Sequence, residues 1–77
     1  MVSLVETIAK SLVSDPDKVE VTETTSEDGK IVVQLKVAQE DMSKIIGRQG
    51  RIAKEIRVLV KSLAQRSGKK VSVEIVD

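Results

Sequence analysis

Residues 45–52 read IIGRQGRI and place Gly47 and Gly50 three positions apart, between two segments whose apolar residues recur at helical spacing. Glycine has no Cβ atom, so a ligand can approach its backbone closely. The backbone N–H groups at the start of the second helix would point at that ligand and would favour an anion. This stretch therefore predicts a phosphate seat between two helices. Considered alone, the two glycines fit a structural role equally well, as a helix cap and a tight turn.

The segment before this stretch predicts one helix and two strands. Ser3 and Glu6 match a capping box, and apolar residues then recur at helical spacing as far as Asp15-Pro16. The helix should end there because the residue before a proline avoids the α conformation. Apolar and polar residues alternate near residues 19–22 and over 31–37, as in half-buried strands. An intervening Glu-Asp-Gly sequence supplies turn chemistry, so the strands should form a hairpin.

The segment around and after the stretch predicts two helices and a last strand. A short helix over about residues 40–46 should stop at Gly47, and a longer helix should then run to about Arg66. Gly68 stands where a C-terminal glycine cap is expected, and residues 71–75 alternate as a strand. The longer helix carries an apolar face that we expect in the core: Ile52, Ile56, Leu59, Val60 and Leu63.

These elements predict an α+β fold in the order αββααβ. A strand, two helices and another strand in succession form a crossover, which makes the second and third strands parallel neighbours. The sheet should therefore be three-stranded and mixed, with the helices packed on one face. With 77 residues, 40% of them apolar and 32% charged, the chain has room for one small core, so we predict a single domain over residues 1–77.

Several kinds of residue are absent from the sequence, and their absence excludes some classes of catalytic and metal-binding site. Without cysteine or histidine the chain cannot form a Ser-His-Asp triad, a thiolate nucleophile or a Cys/His metal cluster. The glycine stretch also lacks the Lys-Ser/Thr pair of a Walker loop. We therefore predict that the protein is not an enzyme and has no catalytic residues, metal or cofactor. No apolar run is long enough to span a membrane and the first residues lack signal-peptide features, which predicts a cytoplasmic location.

Charge is strongly segregated along the chain. Residues 1–42 carry four basic and nine acidic side chains, a net charge of −5. Residues 43–70 carry nine basic side chains and one acidic one, Glu55, a net charge of +8. Such asymmetry indicates a polyanionic partner, although a basic helix surface can also be an ordinary solvated face. Four basic residues should lie on one face of the longer helix, opposite its apolar face: Arg51, Lys54, Arg57 and Lys61.

The stretch IIGRQGRI resembles the I-G-x-x-G signature of KH domains, and the element order resembles the type II arrangement found in prokaryotes. In that family the loop clamps the backbone of about four unpaired nucleotides, and the bases lie between the two central helices and a strand. The resemblance covers essentially the whole chain. It extends to small bacterial RNA-binding proteins with a single KH domain, and so implies single-stranded RNA as the ligand. It also implies self-association as a homodimer and a heterodimer with a larger Jag-type KH protein.

The charge pattern and the resemblance together give ten candidate RNA-binding residues. They are Lys44, Ile45, Ile46, Gly47, Arg48, Gln49, Gly50, Arg51, Lys54 and Arg57. The resemblance implies that residues 47–50 hold phosphates. Ile45, Ile46, Ile52 and Ile56 are candidates for an aliphatic groove wall or for the core, and we favour the core for the last three. Because aromatic residues are absent, affinity should be modest, without the stacking that many single-strand binders use.

Two other classes of function remain as alternatives. A protein interaction module could use the helices or an open sheet edge, with RNA binding secondary. An enzyme acting on phosphate esters could use a hard cation bound by acidic pairs, Asp15 with Asp17 or Glu40 with Asp41. Helix caps and turns explain those acidic pairs better than a cation does.

Overall fold

Three helices and three strands in the predicted order αββααβ make up the part of the chain that the computed structural model describes, residues 2–76. Their bounds are α1, Val2–Leu12; β1, Glu20–Thr25; β2, Ile31–Lys36; α2, Met42–Ile46; α3, Arg51–Arg66; and β3, Val71–Val76. Short 3-10 turns precede β1, α2 and α3. No helix within residues 2–76 is both long enough and apolar enough to cross a membrane.

The three strands form one mixed sheet in the order β1-β2-β3. β1 and β2 are antiparallel, with Val21 opposite Leu35, and form the predicted hairpin. β2 and β3 are parallel, with Ile31 opposite Val71 and Leu35 opposite Ile75. The crossover through α2 and α3 therefore has the predicted form, and it puts the glycine loop between the two helices that connect parallel strands.

The core is built from small and medium aliphatic side chains. Alternate residues of β2 and β3 point inward, including Val33 and Leu35, which are fully buried. The helices cover them with buried residues on α1, α2 and α3: Val5, Ala9, Ile45, Ile56 and Val60. The predicted aliphatic core is confirmed.

The apolar face of α3 is rotated from the predicted one. The residues that reach the core are Ala53, Ile56, Val60 and Ala64, and Leu59 is 43% exposed. The prediction for Leu59 is wrong because, at 3.6 residues per turn, this position lies roughly a quarter turn from the centre of the buried face. The two alanines supply part of that face instead, since a small side chain lets the helix lie close to the sheet.

The ends of α1 and α3 differ in how well the sequence predicts them. The capping box is wrong, because α1 already includes Ser3 and the carboxylate of Glu6 pairs with Lys10 at 2.7 Å. The glycine cap of α3 is confirmed, because Gly68 has φ +70° and its N–H donates to the Gln65 carbonyl at 3.0 Å. The next N–H, that of Lys69, reaches back to the Ala64 carbonyl at 2.9 Å, which completes a Schellman motif.

Candidate nucleic-acid interface

The loop between α2 and α3 holds three residues with positive φ: Gly47 at +75°, Gln49 at +58° and Gly50 at +74°. α2 ends where the Gly47 N–H donates to the Ser43 carbonyl at 2.8 Å. The Gly50 N–H then donates to the Gly47 carbonyl at 3.2 Å and closes a tight turn. A left-handed Gln49 is uncommon for a residue with a Cβ atom, and strain of this kind is concentrated at ligand-binding sites.

The two glycines have different surroundings. A Cβ atom on Gly47 would lie 2.6 Å from Cγ1 of Ile52, so packing inside the protein requires a glycine there. A Cβ atom on Gly50 would meet no protein atom within 4 Å. Packing against Ile52 therefore explains the glycine at position 47, whereas the open space at Gly50 leaves the backbone of that residue accessible to a ligand.

The exposed side of the loop presents hydrogen-bond donors. The side chains of Arg48 and Gln49 are exposed, and within residues 2–76 their backbone N–H groups have no hydrogen-bond acceptor. The loop leads directly into α3, a helix of 16 residues. The N-terminus of a helix carries a partial positive charge, and that end of α3 adjoins the loop. Free N–H groups, a guanidinium and a helix N-terminus together suit a phosphate group.

Two of the predicted basic residues are already paired. Lys44 lies 3.4 Å from a carboxylate oxygen of Asp41 and also donates to the Ser14 hydroxyl. Arg51 lies 3.6 Å from Glu55, and both of these side chains are largely exposed. Exposed ion pairs are weak and exchange readily with other partners, so Arg51 can still turn to a phosphate. Lys44 is held more firmly, by two partners.

Asp41 anchors α2 to the segment that follows α1. Its side chain is only 1% exposed, and its two oxygens accept the backbone N–H groups of Ser14 and Asp15, each at 3.1 Å. The hydrogen bond from the Ser14 N–H, followed by those from Asp15 and Lys44, outweighs burial and lowers the pKa of Asp41. Asp41 therefore has a structural role and fixes where α2, and with it the loop, begins. No cluster of three or more metal-ligating side chains occurs in residues 2–76.

The two isoleucines before the loop have opposite environments. Ile45 is fully buried and belongs to the core cluster, which is one of the two environments expected for it. Ile46 is 39% exposed, which corrects the preference for a core position and makes it available as an aliphatic groove wall. Ile56 is buried, as predicted for a core residue. Ile52 is half-buried, and its side chain lies against Gly47.

Two of the four basic side chains of α3, those of Arg57 and Lys61, border the sheet rather than standing opposite the core. Arg57 lies over β3, and its Nε donates to the Val73 carbonyl at 3.4 Å. Lys61, one turn further along, lines the same cleft between α3 and β3. Lys54 lies nearer the loop, beside Arg51. The expectation of one face opposite the core is therefore wrong for Arg57 and Lys61, because the buried face of α3 is rotated towards them.

Sequence reasoning missed three further basic residues of this cleft, which lie outside the ten candidates: Lys30, Lys69 and Lys70. The predicted parallel pairing of β2 with β3 could have identified two of them, Lys30 and Lys70. Lysine directly precedes both β2 and β3, and parallel strands that start in register bring their first residues together.

Three comparisons place the chain among known proteins. The family model described as KhpA/KhpB, KH domain, matches residues 2–75. A protein of Clostridium acetobutylicum called RNA-binding protein KhpA is 57% identical over 76 residues, which cover 99% of this chain and 100% of that protein. A protein of the same name in Caldanaerobacter subterraneus is 55% identical over 76 residues, which cover 99% of this chain and 100% of that protein. Another in Aquifex aeolicus is 40% identical over 74 residues, which cover 96% of this chain and 92% of that protein.

A solved structure supports the fold independently. A crystal structure of a variant of Aquifex aeolicus Era bound to GDP·AlF4− matches 96% of this chain with a TM-score of 0.61 and 20% sequence identity. The matched part is 28% of the Era chain, so the likeness concerns the fold of that part alone.

Proposed function

The chain belongs to the KhpA/KhpB KH-domain family, and from this membership we propose that it binds single-stranded RNA through the loop Gly47–Gly50 and the start of α3. The observation that carries the proposal is the loop backbone, where the N–H groups of Arg48 and Gln49 find no acceptor within residues 2–76 and lie at the N-terminus of a 16-residue helix. Relatives that match over their full length carry the name RNA-binding protein.

Within this proposal the ten candidate residues divide by role. Gly47 shapes the loop, Gly50 and the N–H groups of Arg48 and Gln49 receive phosphates, and Ile46 supports a base. Arg51, Lys54 and Arg57 add positive charge along α3, whereas Lys44 acts mainly by holding Asp41. Ile45 acts only through the core. Without aromatic side chains, binding depends on charge and backbone contacts.

The cellular role that fits such binding is that of an RNA chaperone or post-transcriptional regulator in the cytoplasm, without enzymatic activity. We propose that it acts as a homodimer or with a larger KH protein of the Jag type. A separate observation favours an interaction module as the second candidate function: α3 exposes Val58 by 56% and Leu59 by 43%, next to each other. Contact with a protein through these two residues is compatible with RNA at the loop.

The experiment combines Arg48→Asp with Gln49→Asp. Aspartate tolerates the left-handed conformation at position 49 and is favourable near a helix N-terminus, so the fold should persist. Two carboxylates would face the phosphate, so affinity for single-stranded RNA in fluorescence anisotropy should largely vanish.

The matched control combines Lys18→Asp with Gln39→Asp, which changes the net charge by the same amount. Both residues are exposed and line a separate cleft. This variant should bind RNA nearly as the parent does. If the loop variant is folded and binds RNA like the parent, the loop is only a turn and the interaction module becomes the first reading.

A further inference from the structure

The edge of the sheet that β1 forms is free to pair with a further strand. β1 is hydrogen-bonded to β2 on one side only, in unbroken register from Glu20 with Lys36 to Thr25 with Ile31. Five of the six residues of β1 are exposed, and no other segment within residues 2–76 pairs with it. Such an edge presents a row of backbone N–H and C=O groups to an incoming strand.

The sequence of β1 suits pairing with a partner of a particular kind. Proteins protect a free edge with charged side chains, proline, a β-bulge or a covering segment. β1 reads EVTETT, has no proline and pairs with β2 without a bulge, so charge is the protection that it uses. Its valine and three threonines favour the extended conformation. The charge at this edge therefore decides which strand can be added.

The acidic charge of the protein is concentrated along this edge. Residues 15–28 carry six acidic side chains and one basic one, a net charge of −5. Five of the six acids are exposed and, within residues 2–76, form no salt bridge: Asp17, Glu20, Glu23, Glu27 and Asp28. Like charges repel both a second copy of β1 and an RNA phosphate, whereas a strand that carries lysine or arginine is attracted.

A cleft of about 720 Å³ adjoins the start of β1. We call it the acidic cleft, and its charged lining consists of three acids and two lysines: Asp17, Glu20, Glu40, Lys18 and Lys36. Lys18 lies 3.9 Å from a carboxylate oxygen of Asp15, which offsets part of its charge. Glu20 is both the first residue of β1 and part of the cleft wall. A strand paired with β1 would therefore pass the mouth of the cleft, where a lysine or arginine side chain can enter.

The free edge of β1 lies apart from the proposed RNA contacts. β1 and β3 are on opposite sides of β2, about 10 Å apart. None of the ten candidate RNA-binding residues belongs to β1 or lines the acidic cleft. A ligand on β1 therefore leaves the loop between α2 and α3 open.

We propose that the free edge of β1 binds an extended segment of a partner protein, rich in lysine or arginine, as a fourth strand, with one cationic side chain in the acidic cleft. Backbone hydrogen bonds supply the attachment, and the acidic side chains select the charge of the segment. This inference does not depend on RNA binding at the loop.

The probe is a capped eight-residue peptide in which lysine alternates with threonine. Its control is the same peptide with every backbone nitrogen methylated, which keeps the charge but removes the N–H donors. The first peptide should shift the amide resonances of residues 20–25 and slow the hydrogen exchange of alternate amides in β1. The methylated peptide should not slow that exchange. Equal effects of the two peptides would mean diffuse electrostatic attraction and would overturn the inference.

A variant that combines Glu20→Gln with Glu23→Gln tests the selection of charge. Its affinity for the peptide should fall about two- to thirty-fold, as expected for the loss of two exposed ion pairs. The matched control combines Glu55→Gln with Glu74→Gln, two exposed acids outside β1, and should bind the peptide nearly as the parent does. Equal losses in both variants would show that only net charge matters and that β1 is not the site.

Two further measurements distinguish other occupants of the edge. Raising the concentration of the protein without peptide should leave residues 20–25 unshifted, and a shift there would show that a second copy occupies the edge instead. Adding an oligouridylate to the peptide complex should leave the shifts of residues 20–25 in place. Displacement of the peptide by RNA would show that both ligands use one surface, against the inference.

Discussion

The two loop glycines should respond very differently to alanine. Gly47 has φ +75° and ψ 177°, a region essentially restricted to glycine, where another residue costs about 1–3 kcal/mol. The new Cβ atom would also lie 2.6 Å from Ile52, and overpacking of this kind costs about 1–3 kcal/mol more. Gly50 is left-handed but has open space around it, so alanine there should cost only about 1–2 kcal/mol.

Urea denaturation followed by far-UV circular dichroism measures these costs. The chain has no aromatic residue, so intrinsic fluorescence gives no signal. For a domain of this size 1 kcal/mol shifts the Tm by about 4–8 °C, so Gly47→Ala should lower the Tm by at least about 10 °C and Gly50→Ala by about half of that. Gly50→Ala should remain folded yet bind RNA more weakly, because its Cβ atom would stand where the phosphate approaches.

A double-mutant cycle separates the clash from the backbone strain. Ile52→Ala removes Cγ1 and Cδ1, two of the three atoms that the new Cβ atom would meet, and leaves the Cβ atom of residue 52 at 2.9 Å. The two substitutions together should therefore cost less than the sum of their separate effects, by about 0.5–3 kcal/mol. Additive effects would show that the clash is relieved by movement of the loop. Equal destabilisation by Gly47→Ala and Gly50→Ala would refute the division into a packing glycine and an access glycine.

Three further predictions concern electrostatics and the form of the RNA. Asp41→Asn should lower the Tm by several degrees at neutral pH, since an amide cannot accept from both backbone N–H groups. Because the folded-state pKa of Asp41 is lowered, its stabilising effect is complete above about pH 4 and is lost as the pH falls further, so the Tm difference between parent and variant should shrink in acid. The log affinity of the parent for short single-stranded RNA should fall against log salt with a slope of about −2 to −3, as expected for three or four neutralised phosphates; a slope near zero would contradict the electrostatic model. Unpaired RNA should bind more tightly than a duplex of equal length in a competition assay, and the reverse order would mean a different mode of recognition.

The sequence predicted what depends on local periodicity and on glycine. The element order, the parallel crossover and the Gly68 cap all follow from patterns within a few residues. The environments of Ile45, Ile46 and Leu59 did not follow, because the rotation of a helix about its axis is set by what packs against it. Asp41 was explained by a helix cap or turn, whereas its partners Ser14 and Asp15 lie over 25 positions away. Lys30 differs, because the predicted pairing of β2 with β3 already implied that it lies beside Lys70, and that consequence was not drawn.

The parallel pairing of β2 with β3 also has a consequence for biosynthesis. The two strands are separated by 34 residues that contain both α2 and α3, so closing this long loop must precede most of the gain from pairing. During synthesis the glycine loop leaves the ribosome well before residues 71–76, and until then α3 has no strand β3 on which to pack. We therefore expect α3 to dock on the sheet late and cooperatively, once β3 has paired with β2, and the RNA affinity proposed for the loop to appear only with that step.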